Sequence, residues 1–266
     1  MFLQTDSGKI AFSTFGDENE RAIVFIHGFP FDRTTWSEQA ALLEKDHFVI
    51  TFDMRGHGET DAGSGQYLVE FYVDDLISLL DHLGLERVCV CGLSMGGYTA
   101  LRAIERDPSR FSGLILCDTK STTDTNAARL NRANQIRTIL DGNKRQFADA
   151  QVKALFAPSS LEKNKEAVER IRKMIETTKD VALIGTLIAL AARTDTTDSL
   201  SRIQVPTMII VGDEDKVTPP SEAEAMHSKI KGSTLVRIHG AGHLSNMENT
   251  PEFNAALLSF LTANKL

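Results

Sequence analysis

Three side chains of this sequence could together carry out nucleophilic attack on a carbonyl group: a serine, an aspartate and a histidine. Ser94 lies in the pentapeptide Gly-Leu-Ser-Met-Gly, Asp215 follows an apolar run, and His243 lies in a glycine-rich segment near the C-terminus. An imidazole can accept the proton of a serine hydroxyl, and a carboxylate can hold that imidazole in the required tautomer. The residue types therefore predict acyl transfer through a covalent intermediate, provided that the fold brings them together.

The sequence around Ser94 changes from a strand pattern to a helix pattern at the serine itself. Residues 88–91 form an apolar run typical of a central parallel strand, and apolar side chains recur at helical spacing in residues 98–104. A tight turn between the two elements needs minimal side chains, which Gly92 and Gly96 supply. The same pentapeptide occurs by chance in ordinary turns, so the interpretation of Ser94 as a nucleophile depends on the flanking strand and helix.

A second loop, His27-Gly28-Phe29-Pro30, follows the apolar run at residues 22–26. Open α/β sheets place their sites at the carboxyl ends of the strands, so the backbone of this loop can face the serine. We expect the N–H groups of Phe29 and Met95 to act as the two donors of an oxyanion hole. His27 is another candidate base, but its position at a strand end favours a hydrogen bond that braces the loop.

Strand and helix patterns alternate along most of the chain. Apolar runs predict strands at residues 22–26, 48–52, 88–91, 114–117, 207–211 and 234–238. A helix is predicted over residues 68–83, and residues 1–15 predict an antiparallel edge hairpin around Asp6-Ser7-Gly8. This alternation predicts an α/β fold with a mostly parallel central sheet flanked by helices.

Residues 119–201 interrupt the alternation, because they contain helical patterns and no convincing strand. The predicted helical segments are 125–140, 144–156, 160–178 and 180–193. We therefore assign residues 1–118 and 202–266 to a core domain and residues 119–201 to an inserted all-helical lid over the serine. Residues 181–190 are apolar on nearly all sides, which predicts burial between lid and core or, alternatively, a homodimer interface.

Composition favours a small or neutral substrate. The net charge of −7 and the absence of a Lys/Arg run argue against nucleic acid or an anionic membrane as the partner. The N-terminus has no basic region followed by a long apolar stretch, which predicts a cytoplasmic location. The three cysteines lie in predicted core strands and are expected to be buried reduced thiols: Cys89, Cys91 and Cys117. The predicted chemistry needs no metal and no organic cofactor.

Taken in order, the motifs resemble those of the α/β-hydrolase superfamily. They are His27-Gly28-Phe29-Pro30, Asp53-Met54-Arg55-Gly56-His57-Gly58, Gly92-Leu93-Ser94-Met95-Gly96-Gly97, Gly212-Asp213-Glu214-Asp215 and Gly240-Ala241-Gly242-His243. The resemblance covers almost the whole chain outside the helical insertion. It implies that Ser94 is the nucleophile, His243 the base and Asp215 the acid. With Cys117-Asp118-Thr119, the chain is similar to small bacterial carboxylesterases and 3-oxoadipate enol-lactonases.

Two other aspartates remain alternatives for the acid. Asp215 matches the family spacing of Gly, two residues, Asp, three residues, Pro. Asp213 is nearer the strand end and is expected to brace the turn, and Asp118 occupies a position that some relatives use for the acid. The charged residues of the second motif are interpreted as structural: Asp53, Arg55 and His57.

The lid and the oxyanion loop are expected to form a largely apolar acyl pocket that includes Phe29, Phe31, Met95, Tyr98 and Leu244. Haloalkane dehalogenases and epoxide hydrolases of this fold carry an aspartate at the nucleophile position, so Ser94 argues against both. The sequence thus predicts a serine hydrolase of small carboxylic esters or lactones. The alternatives are a carbon–carbon bond hydrolase or perhydrolase with the same triad, and a hydrolase-fold receptor or stress regulator that binds a small ligand.

Overall fold

The computed structural model describes residues 1–6 and 8–266. Within these residues one eight-stranded sheet is present. Its strands are β1 (Phe2–Thr5), β2 (Gly8–Phe15), β3 (Ala22–Ile26), β4 (Phe48–Phe52), β5 (Val88–Leu93), β6 (Phe111–Cys117), β7 (Thr207–Gly212) and β8 (Thr234–Ile238). The spatial order is β1-β2-β4-β3-β5-β6-β7-β8.

The sheet is antiparallel only where β2 pairs with β1 and with β4, and the pairs from β4 to β8 in the spatial order are parallel. The predicted α/β class and the N-terminal edge hairpin are therefore confirmed. Ser7, in the predicted turn of that hairpin, lies outside the described residues.

The described helices are α1 (Ser37–Leu43), α2 (Val69–His82), α3 (Met95–Arg106), α4 (Asn126–Leu140), α5 (Lys144–Leu155), α6 (Pro158–Lys163), α7 (Lys165–Thr177), α8 (Asp180–Ala192), α9 (Pro220–Lys229), α10 (Ser245–Glu248) and α11 (Thr250–Asn264). The pairs α1–α11 and α2–α3 are in contact beside the sheet. The central strands β3, β4 and β5 are buried almost throughout, which explains why they are continuously apolar rather than alternating.

The stretch between β6 and β7, which is fully described, contains no strand and folds into α4 to α8. We call these helices the helical insertion. The prediction of a single helix over residues 160–178 was wrong, because α6 and α7 are separate. Pro158 begins α6, since proline is favoured in the first turn of a helix. Asn164 separates the two helices, and its side chain accepts a hydrogen bond from the Ala167 N–H at 3.3 Å.

Helix α8 is buried on most of its surface, as its apolar sequence predicts. It packs against α4 on one side. On the other side, Gly185 lies so close to the backbone of Gly65 that an added Cβ would be 2.2 Å from its carbonyl oxygen. Thr186 shares a hydrogen bond of 3.1 Å with the hydroxyl of Tyr72 in α2. The insertion is thereby tied to the core through α8.

No helix in residues 1–6 or 8–266 has the length and apolar character needed to cross a membrane.

Candidate active site

Ser94 lies at the sharp turn between β5 and α3, with a backbone φ of 51° and ψ of −109°. A positive φ is unfavourable for a residue with a side chain and occurs mainly where the surrounding structure enforces it. Here the enforcement comes from close packing. A Cβ at Gly92 would lie 2.3 Å from the Gly96 carbonyl oxygen, and a Cβ at Gly96 would lie 2.2 Å from that of Ile26 in β3.

The structure brings Ser94, His243 and Asp215 into one hydrogen-bonded line. The Ser94 Oγ lies 2.8 Å from His243 Nε2, and His243 Nδ1 lies 2.7 Å from Asp215 Oδ2. The N–H groups of Val217 and Thr218 donate to Asp215 Oδ1 at 2.7 and 3.0 Å. The Thr218 hydroxyl donates to Oδ2 at 2.8 Å, which fixes the carboxylate in the orientation that faces the imidazole.

The charges of this line support one another. Burial by itself would lower the pKa of His243, but the adjacent Asp215 carboxylate outweighs burial and raises that pKa above its ordinary value. Burial would likewise raise the pKa of Asp215, but His243 and the hydrogen bonds from Thr218 lower it. The site therefore favours an imidazolium beside an ionised carboxylate, which is the state that a histidine reaches when it accepts a proton.

Asp118, an alternative acid, is fully buried behind this line. It accepts hydrogen bonds from the Gly212 N–H at 2.8 Å and from the Ser245 hydroxyl at 2.5 Å. Burial, followed by repulsion from Asp215, raises its pKa to about 8. The Asp118 carboxylate thus bonds to the last residue of β7 and to the first residue of α10, and it does not bond to the imidazole of His243.

Two further residues brace loops, as the sequence predicts. Asp213 accepts a hydrogen bond from the Gly240 N–H at 2.8 Å and so links the exits of β7 and β8. His27 is fully buried, with Nδ1 2.8 Å from the Gly28 carbonyl oxygen and Nε2 accepting from the Met54 N–H at 2.9 Å. Burial lowers the pKa of His27 to about 4, so this imidazole is neutral at physiological pH.

The structural interpretation of the second motif is also confirmed. Asp53 accepts from the Arg33 N–H at 2.7 Å and forms an ion pair with the same residue. Arg55 pairs with Asp75 at 2.6 Å. His57 is buried, and burial lowers its pKa to about 3. The three predicted residues therefore stabilise the turn after β4.

Glu248 braces the loop that carries His243, a contact that the sequence did not indicate. Its carboxylate accepts from the Gly242 N–H at 3.0 Å and, through the other oxygen, from the Ala157 N–H at the end of the helical insertion's α5 at 2.8 Å. The His243 N–H donates to the Leu155 carbonyl oxygen at 2.7 Å. The loop that carries His243 is thus anchored to the insertion. A lone glutamate in a four-residue helix gives no sequence signal for this role.

A cavity of about 560 Å³ opens at Ser94 and His243. Its apolar lining comes from Phe29, Tyr98, Ala128, Phe147, Ala150, Ala154, Leu155, Leu190 and Val217. Its polar lining comes from Lys120, Asp124, Asn131, Arg132, Asn134, Gln135, Thr138, Gln146, Gln151 and Lys216. Most of the lining surface is apolar, as expected, although α4 and α5 also contribute many polar side chains.

Phe29 and Tyr98 line this cavity, but Phe31 and Leu244 do not. The prediction that Phe31 and Leu244 line the pocket is corrected by their packing. Phe31 folds back beneath its loop, where its ring would be 3.1 Å from a Cβ at Gly28. Leu244 is fully buried in the core.

The two predicted oxyanion donors belong to neighbouring parts of the fold. Met95 is the first residue of α3, where a backbone N–H has no partner within the helix. Phe29 follows β3, the strand that neighbours β5. The role of their N–H groups as an oxyanion hole stays a prediction.

The cysteines are buried free thiols, as predicted, and Cys91 and Cys117 have their sulfur atoms 3.7 Å apart. Over the described part of the chain, no group of three His, Cys, Asp or Glu side chains has an arrangement that could hold a metal ion.

Residues 21–250 match the family described as alpha/beta hydrolase fold. The chain belongs to this family. It is 30% identical to 3-oxoadipate enol-lactonase 2 of Acinetobacter baylyi over 96% of this chain and 94% of that protein. Among solved structures, it is similar to a thermophilic esterase of Thermogutta terrifontis, with 33% identity, a TM-score of 0.94 and 99% and 98% coverage of the two chains. It is also similar to the enol-lactonase of Burkholderia xenovorans LB400, with 27% identity, a TM-score of 0.92 and 98% and 100% coverage.

The pKa shift of His243 gives a testable pH dependence. Only the neutral imidazole accepts a proton, so kcat/KM for a short acyl ester should rise with pH, with its midpoint above the ordinary histidine value of about 6.5. Asp215→Asn removes the main group that raises this pKa and leaves burial, which lowers it. The midpoint should therefore move to lower pH, and turnover should fall on the order of ten-thousandfold.

Asp118→Asn is the matched control, since it removes a buried carboxylate that does not bond to the imidazole. We expect a much smaller loss of turnover. A larger loss for Asp118→Asn than for Asp215→Asn, or a midpoint that does not move in Asp215→Asn, would contradict the assignment of Asp215.

Glu248→Gln should lower kcat by roughly tenfold to a hundredfold with little change in KM, because the loop that carries His243 loses a charged acceptor and shifts relative to Ser94. Glu252→Gln is the control, since Glu252 accepts from the His239 N–H at 3.0 Å on an exposed loop. Steady-state kinetics would measure kcat and KM of both variants, and Tm measured in parallel would show that they are folded. A wild-type kcat for Glu248→Gln would show that the anchor has no role in catalysis.

Proposed function

We propose that this protein is a serine hydrolase that cleaves small carboxylic esters or lactones through an acyl-enzyme at Ser94. The observation that carries the proposal is the hydrogen-bonded line from Ser94 Oγ through His243 to Asp215 at the opening of a cavity. The class of carboxylic ester hydrolase is supported by the enol-lactonase of A. baylyi and the esterase of T. terrifontis, both at least 30% identical over nearly the whole chain.

In the first half of the reaction, His243 Nε2 accepts the hydroxyl proton of Ser94 while Oγ attacks the carbonyl carbon of the substrate. The N–H groups of Met95 and Phe29 donate to the oxygen that becomes negatively charged. Asp215 stabilises the imidazolium. When the intermediate collapses, His243 returns the proton to the leaving oxygen and the acyl group remains on Ser94.

In the second half, water enters the position of the leaving group. His243 removes a proton from this water, which attacks the acyl carbonyl, and the same N–H groups stabilise the second oxyanion. Collapse of this intermediate releases the carboxylic acid and returns the proton from His243 to Ser94. All of these steps use side chains and backbone groups of the chain itself, and no metal or organic cofactor takes part.

Residues 119–201 act in this proposal as a lid, and residues 1–118 and 202–266 as the core domain. Helices α4 and α5 supply much of the cavity wall, and the volume of about 560 Å³ suits a small substrate. Because the His243 loop is bonded to the end of α5, the lid also helps to place the base. Substrates with long acyl chains should therefore be poor, in contrast to those of a lipase.

One alternative retains specific support. A protein named putative non-heme chloroperoxidase from Synechocystis is 31% identical over 90% of each chain. A perhydrolase would use the same serine, histidine and aspartate with hydrogen peroxide in place of water. Product analysis with and without peroxide separates the two activities.

A fluorophosphonate probe should label Ser94, because this hydroxyl has a base and backbone donors beside it. Ser94→Ala should abolish both labelling and the hydrolysis of acetate, butyrate and lactone substrates, and kcat/KM should peak at short or medium acyl chains. Labelling or multiple turnovers that survive Ser94→Ala would refute the proposal. A single stoichiometric burst from the wild type on every ester and lactone would favour the receptor alternative instead.

A further inference from the structure

Lys120 is one of the cations that line the cavity. It follows Asp118-Thr119 at the carboxyl end of β6 and lines the same cavity as Ser94. The side chain is half-buried. Across residues 1–6 and 8–266, no hydrogen bond or ion pair of its ammonium group is present. Burial, followed by repulsion from Arg193, lowers the pKa of Lys120, and the attraction of Glu222 and Asp124 does not offset these two effects.

The carboxylate of the cavity wall, Asp124, is already engaged by other cations. It forms ion pairs with Arg132 and, at 2.7 Å, with Arg193. Arg193 is held further by the Leu190 carbonyl oxygen at 2.7 Å and lies over the ring of Tyr98 at 4.3 Å. Asp124 thus pairs with two arginines and forms no ion pair with Lys120 among the described residues. The lysine ammonium is therefore available to a group that enters the cavity.

The cavity is positively charged in a protein that is negatively charged as a whole. Among its described lining residues are the cations Lys120, Arg132 and Lys216, and the carboxylate Asp124. The entire chain has a formal charge of −7. Arg132 is committed to Asp124, and Lys216 is exposed, so an ion pair with Lys216 would be weak. Lys120 is the cation best placed to select an anionic substrate.

We propose that Lys120 forms an anion subsite that binds a carboxylate group on the ester or lactone, away from the bond that is cleaved. This inference rests on the proposed function and narrows its substrate class to esters or lactones that carry a free carboxylate. Partial burial weakens the hydration of a charged group, so a bound carboxylate would pair with an ammonium group that has no hydrogen bond or ion pair among the described residues. A neutral ester of the same length lacks that interaction.

The test compares two esters: monomethyl glutarate, which carries a free carboxylate, and dimethyl glutarate, which is neutral. The measured quantity is kcat/KM for the anionic ester divided by kcat/KM for the neutral ester. We expect the wild type to favour the anionic ester and Lys120→Met to lower the ratio by at least about tenfold, mainly through KM. Lys120→Arg should retain most of the preference. Lys153→Met, which removes an exposed lysine of α5 outside the cavity lining, should leave the ratio unchanged.

Inhibition provides a second readout that does not depend on the variant folding. In the wild type, glutarate should inhibit cleavage of the neutral ester more strongly than glutaramide does, and this difference should shrink at high salt. An unchanged ratio in Lys120→Met, equal inhibition by the acid and the diamide, or a loss of preference in Lys216→Met alone would overturn the subsite. If the wild type cleaves neither these two esters nor the acetate, butyrate and lactone substrates, the proposed function fails, which is distinct from the failure of the subsite.

Discussion

The close approach of the Ser94 turn to the neighbouring strand is the constraint on which the site depends. The carbonyl oxygen of Ile26 in β3 occupies the space that a side chain at Gly96 would need. This contact, with the similar one at Gly92, forces Ser94 to a positive φ and sets the start of α3 beside the end of β3. Ser94 at this turn and Phe29 in the loop after β3 consequently line the same cavity. Strain at the serine is thus offset by packing of the strands and helix around it.

The second half of the site is held by buried charges instead of packing. Asp215 is oriented by Thr218 and lies against His243, whereas Asp118 lies behind both and bonds the exits of β7 and β8. Burial, followed by repulsion from Asp215, raises the pKa of Asp118, whereas His243 and the hydrogen bonds from Thr218 outweigh burial and lower the pKa of Asp215. Glu248 then links the histidine loop to the helical insertion. The helices that shape the cavity therefore also help to fix the base.

Sequence alone was sufficient for the elements with a strong local signal. The apolar run before Ser94 marks a central strand, and the glycines and the spacing of Asp215 predict the geometry that the structure shows. The sequence was insufficient where the surrounding fold determines the position of a side chain. Phe31 looks like any aromatic residue in a loop, and only the fold shows that its ring turns under Gly28.

Polar residues of the insertion were the least predictable part of the site. Helix α4 has one buried apolar residue, Ile139, and its polar sequence is typical of a solvated surface helix. Several of those polar side chains instead face the cavity. Lys120 and Glu248 are ordinary charged residues by sequence. The fold supplies backbone N–H donors to the Glu248 carboxylate, whereas the Lys120 ammonium group has no hydrogen bond or ion pair among the described residues.

The central claim, that hydrolysis passes through an acyl group on Ser94, is tested most directly by stopping turnover of p-nitrophenyl butyrate with acid and mapping the protein by mass spectrometry. We expect a butyryl group on the peptide that contains Ser94. It should form at the rate of p-nitrophenol release and be absent from Ser94→Ala. Sustained hydrolysis with no adduct and no burst, or with an adduct on a different residue, would contradict this claim.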